Sequence, residues 1–227
     1  MTIPTSMARS TATAMTTDAL LTLTQWMSPG FPVGAFAYSH GLEQVIDRGD
    51  LEDAKTLQIW LEDLLTYGSA RSDVILLAAS YRAAPQDRAE IDALARAFAA
   101  SSERLTETVD QGRAFAATVD AIWHSEIGAC TYPVAVGRAA SHQGIALDQT
   151  AEIYVHAMIA NLVSAAVRLV PLGQTEGQAV LAGLAPLIRS TARDALDLTP
   201  DDLSSACFAA DIAAMHHETQ YSKVFRT

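Results

Sequence analysis

Ile153-Tyr154-Val155-His156-Ala157-Met158-Ile159-Ala160-Asn161-Leu162-Val163-Ser164-Ala165-Ala166-Val167-Arg168-Leu169-Val170 is apolar around most of a helical circumference. Apolar residues fill the 155/158/162/165/169 row, and the 156/159/163/166/170 row after its first position. A helix with apolar residues on most sides belongs in the middle of a bundle. Its polar exceptions, Asn161, Ser164 and Arg168, stand at i, i+3 and i+7 and so form one narrow stripe. Two readings of the stripe are open. Arg168 pairs with an acid such as Glu176 across the Pro171-Leu172-Gly173 turn, or the stripe lines a polar channel or an interface that extends to Gln174 and Glu176.

Outward from this helix, the same 3.6-residue period recurs. Asp148 is its expected cap. A helix opening at Pro133 precedes it and ends at Gln143-Gly144. Another runs from about Thr175 to Leu196, with a possible kink at Pro186. Thr199-Pro200-Asp201-Asp202 reads as N-cap, proline and acidic first turn of a last helix to about Glu218. Towards the N-terminus, Ser101 or Ser102 starts a long helix to about Trp123, and Asp87–Ala100 is helical. Ser72 caps a segment holding Val74-Ile75-Leu76-Leu77, which ends at Ala84-Pro85. Leu57, Trp60, Leu61, Leu64 and Leu65 form one buried face, with Asp50 starting that helix and Asp53 in the capping-box position. Asp18–Met27 is a short amphipathic helix. Strand-like alternation of useful length is lacking, and no linker or repeat divides the chain. The expectation is an all-α, single-domain bundle of roughly ten helices over residues 18–227, behind a disordered leader over 1–17.

One stretch departs from plain amphipathic helix: Ser28-Pro29-Gly30-Phe31-Pro32-Val33-Gly34-Ala35-Phe36-Ala37-Tyr38-Ser39-His40-Gly41-Leu42-Glu43. Its prolines fix φ and its glycines free the backbone. A solvated linker would not need Phe31, Val33, Phe36, Tyr38 and Leu42 as well. A rigid elbow is expected, opening near Phe36 into a helix that Arg48-Gly49 ends. Phe31, Val33, Phe36 and Leu42 would anchor it to the bundle, leaving Tyr38, Ser39, His40 and Glu43 to meet a partner.

Composition narrows the function. Of 227 residues, half are hydrophobic, and 26 acidic residues outweigh 15 basic ones for a formal charge of −11. That balance argues against a nucleic-acid partner, which needs a positive face. An uninterrupted apolar run of about 18 residues, the length of a membrane span, is lacking. The leader lacks the apolar core of a signal peptide, and a cytoplasmic location is the default. Cys130 and Cys207, without CxxC spacing, read as two buried thiols in a reducing compartment.

The chemistry-bearing motifs are few. A G-x-x-x-x-G-K-[ST] loop and a dinucleotide fingerprint are both missing. Tyr38-Ser39-His40-Gly41 lacks the first glycine and the preceding strand of a nucleophile elbow. His216-His217-Glu218 puts adjacent histidines about 100° apart on a helix, poorly placed to chelate one ion. His40 and Glu43 share a face but make two ligands at most. Their plain readings are a surface histidine bonding Glu43 or Gln44, and helix-end histidines favoured by the dipole. No cofactor and no tight metal site are expected. The tail, with Tyr221, Lys223, Phe225 and Arg226, is a basic and aromatic arm on an acidic protein. Those residue types anchor interfaces.

These residues carry a resemblance. Ser28-Pro29, Pro32-Val33-Gly34-Ala35-Phe36, Tyr38-Ser39 and Gly41-Leu42-Glu43 resemble the N-terminal signature of the UreF family of urease accessory proteins. Trp60-Leu61, Asp110-Gln111-Gly112-Arg113, Ala160–Leu169, Pro171–Gln178, His217–Ser222 and Phe225-Arg226 continue it in order over about residues 20–227. The resemblance implies an all-α homodimer in the cytoplasm. It implies that the protein binds UreD/UreH on one side and the GTPase UreG on the other, tunes GTP hydrolysis without being an enzyme, and helps deliver nickel to apo-urease. It implies that the tail, about residues 218–227, orders against UreD/UreH. The chain departs from the family pattern at His40, where many relatives have Gln, and at Tyr132, where a His is expected. A stand-alone helical nickel metallochaperone using His216, His217 or His40 is the competing reading.

Overall fold

The computed structural model describes residues 16–226, and among these it contains ten α-helices, three short 3-10 turns and no strand. The all-α bundle is as expected. The leader falls mostly on residues 1–15, outside the described residues, and its last two positions already belong to the bundle. The Thr16 hydroxyl caps α1 (Thr17–Trp26) by accepting from the Ala19 N–H.

After the elbow come α2 (Leu42–Asp47), α3 (Ala54–Tyr67), α4 (Ser69–Arg82), α5 (Arg88–Ala97) and α6 (Ser102–Trp123). Then follow α7 (Tyr132–His142), α8 (Leu147–Leu169), α9 (Gln174–Leu196) and α10 (Phe208–His217). α8 packs along α9, α4 lies between α7 and α9, and α6 covers α7. By length and composition α8 is the one described helix able to cross a membrane, but half of it is buried within the bundle. Leu162, Val163, Ala165 and Ala166 are closed off from solvent, as a central helix requires.

Several boundaries differ from the sequence reading, each for a local reason. Asp53, not Asp50, caps α3: its carboxylate accepts from Thr56 N–H, and the Thr56 hydroxyl accepts from Asp53 N–H. Ser72 caps nothing. It lies inside α4, and its hydroxyl donates to Ser204 O. Asp148 sits in the first turn of α8, one residue past the start, with Ala146 at the cap. Thr199 and Asp202 do form a capping box, but over one 3-10 turn only, and α10 begins six residues later at Phe208.

Six aromatic rings meet at one junction. Trp26 meets Phe115 and Trp123 edge-on at 5.5 and 5.7 Å. Phe115 also touches Phe31 at 5.5 Å and Tyr132 at 5.7 Å, and Tyr132 reaches Tyr154 at 5.4 Å. This chain of rings ties α1, the elbow, α6, α7 and α8 together with favourable edge and tilted geometries. Both cysteines are free and buried, and burial pushes the Cys130 thiol up to about 11, which keeps it protonated and unreactive.

Candidate functional site

The elbow is not the start of a long helix. One 3-10 turn spans Ala35–Ala37, Tyr38 is extended, and His40 and Gly41 are both left-handed, at φ 55° and 78°. Two successive left-handed residues stop any helix from running through, so α2 starts only at Leu42. Gly41 is held there by position as well as by φ, since a Cβ would lie 2.7 Å from the Ala214 nitrogen of α10. Phe31 and Leu42 are buried anchors as expected, but Phe36 is not one: it is two-thirds exposed.

The polar stripe of α8 is the seat of this elbow. The Asn161 amide donates to Ala35 O at 2.9 Å and to Tyr38 O at 3.3 Å. Arg168 donates to Phe36 O at 3.1 Å and to Ser164 O at 3.2 Å. These bonds satisfy carbonyls that a non-helical segment would otherwise leave unpaired. Of the two readings of the stripe, the Arg168–Glu176 pair does not form: the Glu176 carboxylate accepts from Gly173 N–H at the start of α9. Gln174 is the exposed first residue of that helix. Asn161 and Ser164 also line a cavity of about 500 Å³ between the elbow and α8, with Trp26, Phe31 and Met158 on its walls and His40 and Glu107 among its polar lining.

The C-terminal tail closes over the elbow. Val224 N–H and Phe225 N–H donate to the two oxygens of the Glu43 carboxylate at 2.6 and 2.8 Å. Arg226 N–H donates to Ala37 O at 2.7 Å. The Phe225 ring is buried, with the Arg168 guanidinium 4.5 Å above its centroid. Burial pushes the Tyr38 phenol up, partly offset by a hydrogen bond with the Arg226 side chain. Lys223 reaches Glu103 at 2.7 Å and donates to Glu218 O at 3.0 Å. Tyr38, Ser39 and Glu43 are therefore buried, and the His40 side chain is about nine-tenths so. The expectation that they stand open to a partner is corrected: Tyr38 and Glu43 lie under the chain's own tail, Ser39 is buried beside them, and His40 faces Glu107. The tail's outward apolar side chains are Tyr221, fully exposed, and Val224, 73% exposed, and Lys223 and Arg226 are exposed as well.

Glu43→Ala would strip two tail amides and His217 of an acceptor at once. A loss of about 2–3 kcal/mol is expected from urea unfolding, with the amides of Val224 and Phe225 losing exchange protection first. Unchanged protection at these two amides would contradict the docking geometry.

Beneath the elbow runs a second set of charges that the sequence reading missed. His40 Nε2 lies 2.7 Å from Glu107, whose carboxylate also meets Arg104 at 3.3 Å and accepts from Gln111 at 3.0 Å. Arg104 pairs with Asp73 at 2.9 Å, and Asp73 accepts from the Tyr154 hydroxyl at 2.8 Å. Burial alone would raise the Glu107 carboxyl, yet the His40 and Arg104 charges hold it below its usual range. Burial, with the Asp73 charge, pushes the Tyr154 phenol well up. The available signal was Asp73 set directly before Val74-Ile75-Leu76-Leu77, an acid at the head of a buried run. In sequence it looks like an exposed first-turn residue.

The histidines do not converge. His216 is exposed, His217 is buried between two carboxylates, and His40 faces Glu107. Among the described residues, no group of three or more His, Cys, Asp or Glu side chains is placed to hold a metal ion.

Compared with known proteins, residues 51–185 match the family model described as UreF. A urease accessory protein UreF of Roseobacter denitrificans is 70% identical over 94% of this chain and 96% of its own length. One from Ruegeria sp. strain TM1040 is 55% identical over 94% of this chain and all of its own, and one from Xanthobacter autotrophicus is 47% identical over 92% and 91%.

Proposed function

This chain belongs to the UreF family of urease accessory proteins, and on that premise we propose that it is a non-catalytic scaffold in urease maturation. It works in the cytoplasm as a homodimer, with UreD/UreH and the GTPase UreG as partners. Together they insert nickel into apo-urease, and the scaffold modulates GTP hydrolysis by UreG. The observation that carries this reading is the match, over more than nine-tenths of both chains, to relatives described as urease accessory protein UreF. The lack of any nucleotide-binding loop in the sequence agrees with it.

The tail and elbow offer the partner surface. Tyr221, Val224 and Phe36 are large, exposed and held on a hydrogen-bonded frame. Pre-ordered aromatic and aliphatic groups of this kind suit an interface, and UreD/UreH is the partner assigned to them.

Deleting residues 218–227 is expected to abolish co-purification with UreD/UreH and UreG, but it also exposes Glu43 and Phe225's seat. A cleaner test is Tyr221→Ala combined with Val224→Asp. Both side chains point outward, so stability should shift by less than about 0.5 kcal/mol, while capture of UreD/UreH should weaken by about tenfold or more. Full urease activation in a host lacking the gene would overturn the scaffold reading altogether.

A further inference from the structure

α10 is apolar on both sides. Its inner face, Ala210, Ala213, Ala214 and His217, is buried. There Gly41 is pressed against the Ala214 backbone, and His217 sits between Glu43 and Glu103. The helix is a fixed platform. Its outer face carries Phe208, Ile212 and Met215 at i, i+4 and i+7, one stripe along the helix. Phe208 is 69% exposed, and Ile212 and Met215 are about half exposed. Leu21 and Ile122, also exposed, stand on separate helices, and scattered apolar side chains of that kind are ordinary. A helix apolar all round is normally buried, and an aligned exposed stripe marks a contact. Tyr67, exposed at the end of α3, extends the patch: its carbonyl accepts from Ala206 N–H, two residues before α10.

One edge of the stripe is acidic. At about 100° per residue, Asp211 and Glu218 fall on the same side of it, and Ala209 and His216 on the other. Cys207 shares the acidic side. Burial pushes its thiol up, and the nearby Asp211 and Asp63 charges push the same way, which brings Asp63 of α3 to this edge. Asp63 is exposed, and the Glu218 carboxylate accepts from Ser102 N–H. Lys223, near Glu218, is engaged by Glu103.

We propose that the outer face of α10 is a docking surface for a protein partner that presents an apolar helix face edged by lysine or arginine. Charge complementarity selects that partner, since the edge is acidic and the whole chain carries −11. A second copy is the poorer occupant. An antiparallel two-fold pairing of α10 helices sets acidic edge beside acidic edge, and facing like charges cost binding. The surface also differs in sign from the tail, whose exposed charges, Lys223 and Arg226, are basic. The chain thus offers two contact faces of opposite charge. The role of the α10 face in urease maturation rests on the scaffold reading, but its chemistry does not.

The test uses the full chain, and its first arm needs no partner protein. A synthetic amphipathic helix of leucine and lysine is titrated in, with a leucine–glutamate helix of equal length as control. The lysine peptide should shift the α10 amide signals and the Ile212 methyls, and the glutamate peptide should not. Phe208→Ser with Ile212→Ser should leave the urea midpoint in place and weaken lysine-peptide binding by about tenfold or more. Met215→Gln repeats the test should the double variant unfold. Asp63→Lys with Asp211→Asn keeps the stripe, and should weaken binding at low salt and flatten its salt dependence. The second arm measures capture of UreG and of UreD/UreH by the same variants, and the serine variant should lose at least one of them by about tenfold. Equal binding of the two peptides, peptide shifts outside α10, or a serine variant that holds both partners as tightly as wild type would each overturn the proposal. So would loss of self-association alone, which makes a second copy the occupant. A wild-type chain that captures neither partner defeats the scaffold reading, and the peptide arm then decides the α10 face by itself.

Discussion

Arg104→Ala is expected to cost about 3–5 kcal/mol, the range for removing one partner of a buried charged set. Arg104 stands between two carboxylates, Asp73 at 2.9 Å and Glu107 at 3.3 Å, and all three side chains are largely closed off from water. Without the guanidinium, Asp73 keeps Tyr154 and Glu107 keeps His40 and Gln111, but two buried negative charges face one cation at most. A domain stable by about 5–15 kcal/mol cannot absorb that loss without a visible rise in the unfolded fraction. Urea unfolding measures it. The companion variant is Arg104→Met with Asp73→Leu and Glu107→Leu, which removes the charges together and should recover more than half of the loss. If Arg104→Ala cost under about 1 kcal/mol, the cluster would be no more than a surface ion pair. The pH dependence follows from Glu107. Its carboxyl is held below the usual range in the folded state, so its contribution is present above the ordinary carboxyl range of about 4–5 and is lost as pH falls through the depressed value. In Arg104→Ala that acid-sensitive contribution shrinks, and the stability profile of the variant between about pH 3 and 6 should be flatter than that of the wild type.

Helix existence was legible because it depends on a short-range signal. The apolar rows of α8 and the stripe of α3 report buried faces directly, and both helices are found where the period puts them. The elbow was legible as an exception, since Pro29, Pro32 and its glycines sit among large apolar residues. What the sequence did not reveal is pairing across long separations. Glu43 and Phe225 are 182 residues apart, Glu103 and His217 are 114 apart, and no periodicity connects them. The consequence was an inversion: the polar side chains of the elbow read as surface, and they are the buried half of a contact whose other half is the tail. Asn161 and Arg168 show the intermediate case. Their common stripe was readable from spacing, but their acceptors are backbone carbonyls of Ala35, Tyr38 and Phe36. A carbonyl belongs to every residue, so no residue type at positions 35–38 could advertise it.

Gly112→Ala should cost at least about 3 kcal/mol, although alanine is the better helix former by about 1 kcal/mol. Gly112 faces the segment that leads into α7. A Cβ there would lie 2.0 Å from Cys130 O, 2.6 Å from Thr131 C and 2.7 Å from Tyr132 N. All three are main-chain atoms, so no rotamer change relieves the contact, and the segment itself must move. That segment is pinned on both sides. Thr131 N–H donates to Asp92 at 2.7 Å, Tyr132 N–H to the Thr108 hydroxyl at 3.3 Å, and the Tyr132 ring sits against Phe115 and Tyr154. Overpacking a close-packed core costs about 1–3 kcal/mol even where side chains can adjust, and here they cannot. The displacement would travel through Phe115 to Phe31, so the elbow should loosen with the core. Gly183→Ala is the matched control: it too is an interior helical glycine, on α9, but a Cβ there meets nothing within 4 Å. That substitution should be neutral or stabilising by up to about 1 kcal/mol. Opposite signs for the two substitutions isolate close approach from helix propensity, and a shared sign would refute the packing assigned to Gly112.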